Sequence, residues 1–325
     1  MIRVTQPAAG PPKRMPLGYK IPIIAIPAIA LVITLLAILA QLAPDVRLAL
    51  YSAHENTYQC SFSQSMNVRR SAQDRDRRIA DIKASSQLIQ SDDHYSLWRT
   101  RDGDFWIPNR NAEVLAFNLA EEEQDIYGRG VTGVHSGDVV LDGGANVGVF
   151  TRKALNAGAR TVIAIEPAPE NVESLRRTFA PEIASGRVVI QALGLWNQPA
   201  ELPLRVDAGN SARNSFVLSF GPAASEVRVP LRTIDSLIGN LALTRVDFIK
   251  LDIEGAEKKA IAGANQTLAR FHPRLAIAME HLKDDPVAIP AVINALGLGY
   301  RTICGPCLFN GSSIRPDALY FVPAS

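Results

Sequence analysis

The first chemical signal in this chain is an acid followed by a glycine cluster. Asp142-Gly143-Gly144-Ala145-Asn146-Val147-Gly148 follows the apolar run Val139-Val140-Leu141 and opens a helical pattern through about Leu155. A strand that ends in an acid, turns on glycines and enters a helix can hold a nucleotide. Glycines let backbone N–H groups approach the ligand, and the helix N-terminus adds a positive dipole end. Asp142 then selects among nucleotides. A carboxylate at the strand tip repels the pyrophosphate of a dinucleotide and attracts a cofactor that carries an ammonium and a sulfonium. The next strand, Thr161–Ile165, ends in Glu166. That is the βαβ spacing at which an acid meets the ribose hydroxyls of an adenosine cofactor. The two acids point to S-adenosylmethionine, and the reading expects both side chains to face one pocket at the strands' carboxyl edge.

A second acidic group ends a later strand. Val246–Leu251 runs into Asp252-Ile253-Glu254-Gly255-Ala256-Glu257. Parallel strands present their ends at one sheet edge, and residues two apart in extended chain point the same way. Asp252 and Glu254 can therefore face the Asp142 loop, where a general base would take a proton from a hydroxyl nucleophile or orient it. Proximity of nucleophile and methyl carbon supplies much of the rest. Asp252 as a helix cap, with Glu257 in the first turn, is the structural alternative, and the two roles can coexist. A further strand ends Ala278-Met279-Glu280-His281. Glu280 is a third catalytic candidate. The pair could also bind a sugar hydroxyl or hold a metal with Asp252, but no defined ligand set can be assembled and no metal is expected. A plain cap before Asp284-Asp285-Pro286 is the simpler reading of this end. Cys304-Gly305-Pro306-Cys307 has redox-dithiol spacing, yet turn residues follow it and no thioredoxin-like domain remains to house it. Free thiols or an incidental disulfide are expected there.

These residues need elements to position them. With 325 residues, 47% of them hydrophobic, the chain can bury one sizeable core plus appendages. A net charge of +2 gives no bulk attraction for nucleic acid. Three cysteines are too few for a disulfide-scaffolded secreted domain. Residues 1–20, rich in Pro, Gly and Ala, read as a disordered basic tail. Residues 21–43 carry no charge and are long enough to cross a hydrocarbon core of about 30 Å, with Pro22 and Pro27 in the first third. A cleavable signal peptide would be shorter and end in a small-x-small site, so a single-pass anchor is expected. Its positive flank sends the large domain across the membrane. The cytosolic source of S-adenosylmethionine, and the Arg69–Lys83 basic cluster, favour the opposite side. Residues 44–90 read as a stalk, with Arg69–Lys83 as an exposed helix, and 91–325 as the globular domain.

Within that domain Trp98–Ile107 reads as a hairpin turning at Asp102-Gly103. Asn111–Tyr127 reads as a helix with a solvated Glu121-Glu122-Glu123 face. From Val139 onward strands and helices alternate, which predicts a parallel sheet covered on both faces. Its later strands are Val188–Ala192, Val246–Leu251, Leu275–Glu280, Tyr300–Ile303 and Ala318–Val322. The insertion Glu201–Pro230 predicts antiparallel strands around the loop Asp207–Asn214.

Taken jointly, the 142–148 loop, Glu166-Pro167, Ala192-Leu193-Gly194, Thr233–Leu237 and Phe248–Glu257 resemble the FkbM family of methyltransferases, as does the closing Ala318–Pro323. The resemblance covers roughly residues 95–325. It implies an α/β, Rossmann-like class I methyltransferase fold with a seven-stranded sheet, its last strand antiparallel, here preceded by one N-terminal transmembrane helix. It implies S-adenosylmethionine-dependent O-methylation of a hydroxyl on a sugar, glycan, glycolipid or related metabolite. By that analogy Asp142, Gly143, Gly144, Ala145, Asn146 and Gly148 hold the methionine end and Glu166 the ribose. Ala192 and Leu193 flank the adenine, and Asp252 and Glu254 border the methyl. Gly143 departs from an expected apolar residue and should loosen the loop slightly. Substrate choice is expected in the insertion, around Asn210 to Ser215. The competing classes are an NAD-dependent oxidoreductase or epimerase on a similar fold, and a non-catalytic glycan-binding module.

Overall fold

The computed structural model describes residues 30–35, 37–38, 48, 59–207, 210, 213–218, 225–311 and 313–324. The chain divides into two units, Met1–Leu50 and Tyr51–Ser325. In the first, residues 30–35, 37 and 38 are helical and exposed. The basic tail and most of the expected anchor at 21–43 lie outside the described residues. No helix among the described residues is long and apolar enough to cross a membrane.

The second unit begins with α1 (Phe62–Ser85) and the antiparallel strands β1 (Gln87–Ser91), β2 (Tyr95–Thr100) and β3 (Gly103–Pro108), followed by α2 (Ala112–Glu123). The β2–β3 register pairs Thr100 with Gly103, so the hairpin turns at Arg101-Asp102, one residue before the expected position. The stalk expected over 44–90 is corrected within the described residues. Ser61 and Gln64 form a capping box that starts α1, and Ser65, Val68 and Ile82 bury its inner side. Ile79 and Ile82 pack with Phe105, Ile107 and Leu119, so α1 belongs to the domain core and the domain begins well before residue 91. A Cys60–Cys307 disulfide joins the segment before α1 to the far end of the domain, across 247 residues. Its geometry was not readable from three scattered cysteines.

The sheet that positions the site follows: β4 (Val139–Gly143), α3 (Val149–Asn156), β5 (Thr161–Ile165), α4 (Pro169–Thr178), α5 (Ala180–Ala184) and β6 (Val188–Gln191). β7 (Gly194–Leu195) follows, and the insertion carries β8 (Ala200–Val206) and β9 (Ser225–Arg232), antiparallel as expected. Then come α6 (Ile234–Asn240), β10 (Phe248–Leu251), α7 (Glu257–Ala262), α8 (Asn265–Phe271), β11 (Arg274–Ala278) and α9 (Asp285–Ala295). The chain closes with β12 (Arg301–Cys304), β13 (Cys307–Phe309), β14 (Ile314–Pro316) and β15 (Ala318–Val322).

Seven strands share one sheet in the order β12-β15-β11-β10-β4-β5-β6. Neighbours from β11 to β6 run parallel, whereas β15 is antiparallel to both β11 and β12. β4 and β10 are buried along their whole length, as strands covered on both faces must be. One face packs Leu141, Ile163, Ile249, Ile277 and Phe321. The other packs Val140, Val162, Phe248 and Ala276 under Phe150, Leu175 and Phe179. Strand order reverses between β4 and β10, so their loops part and leave a crevice at the carboxyl edge.

Candidate active site

A cavity of ≈ 640 Å³ fills that crevice. Its floor is the β4–α3 loop. Gly144 adopts φ +76°, and a Cβ there would overlap the Asp252 carbonyl oxygen, so only glycine fits. Asn146 sits at φ +49° and its carboxamide oxygen accepts the Val147 N–H at 2.7 Å. Gly144, Ala145 and Asn146 line the cavity. Gly148, at φ +94° against the Phe179 ring, starts α3 and does not reach it. Gly143 does not loosen the loop: a Cβ would press on Leu251, Leu195 and the Lys250 carbonyl, so the neighbours are close-packed around it.

Asp142 does not occupy the position the charge argument gave it. Its side chain is fully buried and is not part of the cavity wall. Oδ2 accepts the Thr151 hydroxyl at 2.6 Å, and Oδ1 lies 3.2 Å from Lys250 Nζ. Lys250 is the register partner of Asp142 on β10, so the two side chains emerge on the same face of adjacent strands. Desolvation alone would lower the lysine pKa, but Asp142, Asp252 and Glu122 outweigh it and keep the amine charged. The amine also donates to the Gly144 carbonyl at 2.8 Å. Asp142 is thus tied through Lys250 to the backbone of the loop and stands behind the cavity wall.

Glu166 does face the cavity. Its Oε2 accepts the Asn146 N–H at 2.9 Å, and Oε1 accepts the Ala168 N–H at 2.9 Å and the Asn171 amide at 3.3 Å. Burial pushes its carboxyl up to about 7 against the pull of those donors. Leu193 lines the cavity beside it; Ala192 is exposed and does not.

Across the cavity stand Asp252, Glu254, Glu280 and His281, all in its wall. Tyr127 donates its hydroxyl to Asp252 Oδ2 at 2.7 Å. Burial, then Asp252 itself, raises the phenol well above its ordinary pKa, so it stays a donor. Glu254 holds φ +53°, a sparsely populated conformation for a residue with a Cβ. Burial pushes its carboxyl up to about 8, against the attraction of His281. The Glu280 side chain is 43% exposed at the mouth. His281 is not a cap residue. Its Nδ1 lies 3.0 Å from Glu257 Oε1, and Leu282, not His281, donates to Asp285 ahead of α9.

Several wall residues carried no site reading in the sequence. The Glu121-Glu122-Glu123 face is not solvated: Glu121 and Glu122 line the cavity, and Glu122 lies 3.1 Å from Lys153. Arg75 of α1 reaches Glu121 at 3.5 Å and Asp317 at 3.9 Å. Lys250, alone in an otherwise apolar strand, was the one legible signal. Among the described residues the wall holds Glu113, Glu121, Glu122, Glu166, Asp252, Glu254 and Glu280 against Arg213, Lys250 and His281. Such a lining favours a ligand with positive centres and opposes a pyrophosphate.

Residues 142–302 match the family model of the methyltransferase FkbM domain. No curated protein matches the chain. Among solved structures, a methyltransferase FkbM from Methylobacillus flagellatus KT is 19% identical, with a TM-score of 0.42 over 66% of this chain and 55% of its own. The chain thus spans little more than half of that protein. A precorrin-6Y C5,15-methyltransferase from Geobacter metallireducens GS-15 is 15% identical, with a TM-score of 0.32 over 64% of this chain and 85% of its own. A precorrin 8w decarboxylase from Methanobacterium thermoautotrophicum is 11% identical, with a TM-score of 0.34 over 59% and 84% respectively. The fold itself stands on the strand order described above.

Proposed function

Residues 142–302 are a methyltransferase FkbM domain, and on that premise we propose that the chain O-methylates a hydroxyl of a sugar, glycan or glycolipid with S-adenosylmethionine. The observation that carries this reading is the facing of two acidic groups across one cavity. Glu166 and the glycine loop stand on one side, and Asp252, Glu254 and Glu280 on the other. The residues fit the cofactor. The acid-rich wall suits its ammonium and sulfonium, the absent Cβ of Gly144 admits close approach, and Glu166 is the cavity carboxylate that would accept from the ribose diol.

When bound, the cofactor supplies an electrophilic methyl group, so the acceptor's O–H proton is what the protein must move. Asp252, held by Tyr127, and Glu254 orient the hydroxyl. As the acceptor oxygen is methylated its proton would pass to Glu280, whose exposed side chain would hand it on to solvent. Asn214 and Phe216 of the insertion, also in the wall, supply acceptor contacts.

The uncharged run at 21–43 supports attachment to a membrane, with a membrane-associated glycan as acceptor. The test follows radiolabelled methyl groups into cell-envelope fractions, with and without the protein. Label in a hydroxyl-bearing glycan fraction supports the reading. Cofactor binding with no label in any fraction would favour the glycan-binding module, and preferential NAD binding the oxidoreductase. Retention of the full chain in the membrane pellet after alkaline extraction tests the anchor, and release into the supernatant would remove it.

A further inference from the structure

At the acceptor end the inner atom of one side chain has carboxylates around it but no hydrogen bond among the described residues. His281 has a side chain only 6% exposed. Its Nδ1 is fixed by Glu257 Oε1, and that buried carboxylate also accepts the Ile253 N–H at 2.8 Å. The ring is therefore oriented from behind, with Nε2 directed into the cavity. Nε2 makes no hydrogen bond among the described residues. Asp252 Oδ1 stands at 3.5 Å, Glu254 Oε2 at 3.7 Å and Glu280 Oε1 at 4.0 Å, all beyond the usual N–H···O range. One ligand atom each from Asp252, Glu254 and His281 lie within 4.8 Å of one another. Around a divalent ion at roughly 2.1–2.4 Å from its ligands, neighbouring ligands sit about 3.0–3.4 Å apart and opposite ones about 4.2–4.8 Å. The Nε2–carboxylate separations of 3.5 and 3.7 Å are too long for a good hydrogen bond and a few tenths of an ångström longer than neighbouring ligands take, so the three side chains would draw in slightly around an ion.

We propose that Asp252, Glu254 and His281 Nε2 form a divalent-cation site that presents the acceptor hydroxyl. An imidazole whose second nitrogen rests on a buried carboxylate is how proteins orient a metal-binding histidine, which gives Glu257 its place. Two carboxylates and one imidazole, with no thiolate, suit Mn²⁺ or Mg²⁺ better than softer ions. Coordination positions not taken by the protein remain for one or two acceptor oxygens. This role rests on the methyltransferase reading; the binding of the ion does not. The ion lowers the pKa of the coordinated hydroxyl, whose proton goes to Glu280 while its oxygen keeps the electron pair that forms the new bond. A histidinium that bridges the carboxylates without any ion is the competing outcome.

The test uses the full chain stripped with a chelator and titrated with Mn²⁺, following the free ion by electron paramagnetic resonance. Mn²⁺ also avoids the Cys60, Cys304 and Cys307 sulfurs, which prefer softer ions. One ion per chain is expected, bound at least 10-fold more weakly by Glu254→Gln and His281→Gln. Glu257→Gln, which touches no ion, should lose about 10–100-fold. Thermal melts identify any variant that fails to fold, and the near-isosteric Glu254→Gln keeps the test standing if Glu257→Gln does. Methyl transfer should fall at least 10-fold in chelator and return with Mn²⁺ or Mg²⁺. No saturable binding, or equal binding by all three folded variants, overturns the site, and chelator-insensitive methyl transfer overturns its role. S-adenosylmethionine binding measured in chelator separates the two failures. If it persists, the methyltransferase reading outlives the ion site; if it is absent, that reading falls whatever Mn²⁺ does.

Discussion

The two sides of the cavity treat their acids in opposite ways. On the glycine-loop side two acids are held within the fold: Asp142 by the Thr151 hydroxyl and the Lys250 ion pair, Glu166 by two backbone N–H groups and Asn171. On the other side Asp252, Glu254 and Glu280 stand around one imidazole at 3.5–4.0 Å; among the described residues Tyr127 donates to Asp252, and Lys250 lies 3.9 Å from it. The first side is built in advance to fix a loop; the second gathers three carboxylates around one imidazole at the mouth of the cavity.

The largest effect should come from breaking the prepared side. Lys250→Met strips the fully buried Asp142 of its counter-ion and should cost about 3–5 kcal/mol in urea unfolding. Adding Asp142→Leu should recover much of that loss, because an apolar pair needs no counter-ion. If Lys250→Met is as stable as the parent, Asp142 is not held in the way described. Gly144→Ala comes next, at about 3 kcal/mol from overlap with the Asp252 carbonyl and from the positive φ, read as a lower melting temperature and a loss of activity.

On the receiving side the balance between stability and activity should invert. Glu280→Gln is expected to leave unfolding almost unchanged, since the side chain is 43% exposed, while kcat falls about 100-fold. An equal loss of stability and rate would erase the contrast between the two sides. The smallest effect is a pH slope. The folded pKa of Glu166, about 7, lies above its ordinary value of 4.5. The folded chain therefore holds more protons than the unfolded one between those values, and stability falls as pH rises through that window. Glu254 and Asp285, raised to about 8 and about 6, add to the same slope, so Glu166→Gln should reduce it without abolishing it, measured by urea unfolding at pH 4.5 and 7.5; an unchanged slope assigns it to those other groups.

How much of this was legible follows the same division. The strands β4, β5, β10, β11 and β15 were readable because continuous apolar runs ending in acids or turns leave few other readings. The residues Asp252, Glu254 and Glu280 were legible as strand ends, and the structure brings them together. Asp142 was placed on the right strand but given the wrong partner. That error had a visible remedy, since a lysine inside an apolar strand next to a buried acid calls for pairing. His281 was set aside as part of a helix cap, because nothing local announces Glu257 beneath it. The role of α1 was not readable: its polar composition hides the three residues it buries, and the disulfide that pins its start closes over 247 residues.

The central claim is that the cofactor belongs to the prepared side and the acceptor to the receiving side. Calorimetric titration of the full chain with S-adenosylmethionine tests it most directly, comparing the parent with Glu166→Gln and Glu280→Gln. The account predicts saturable binding, weakened about 10-fold or more by Glu166→Gln and left within about 2-fold by Glu280→Gln, a loss of about 1.4 kcal/mol against almost none. No heat at millimolar cofactor, or equal weakening by both substitutions, would contradict it.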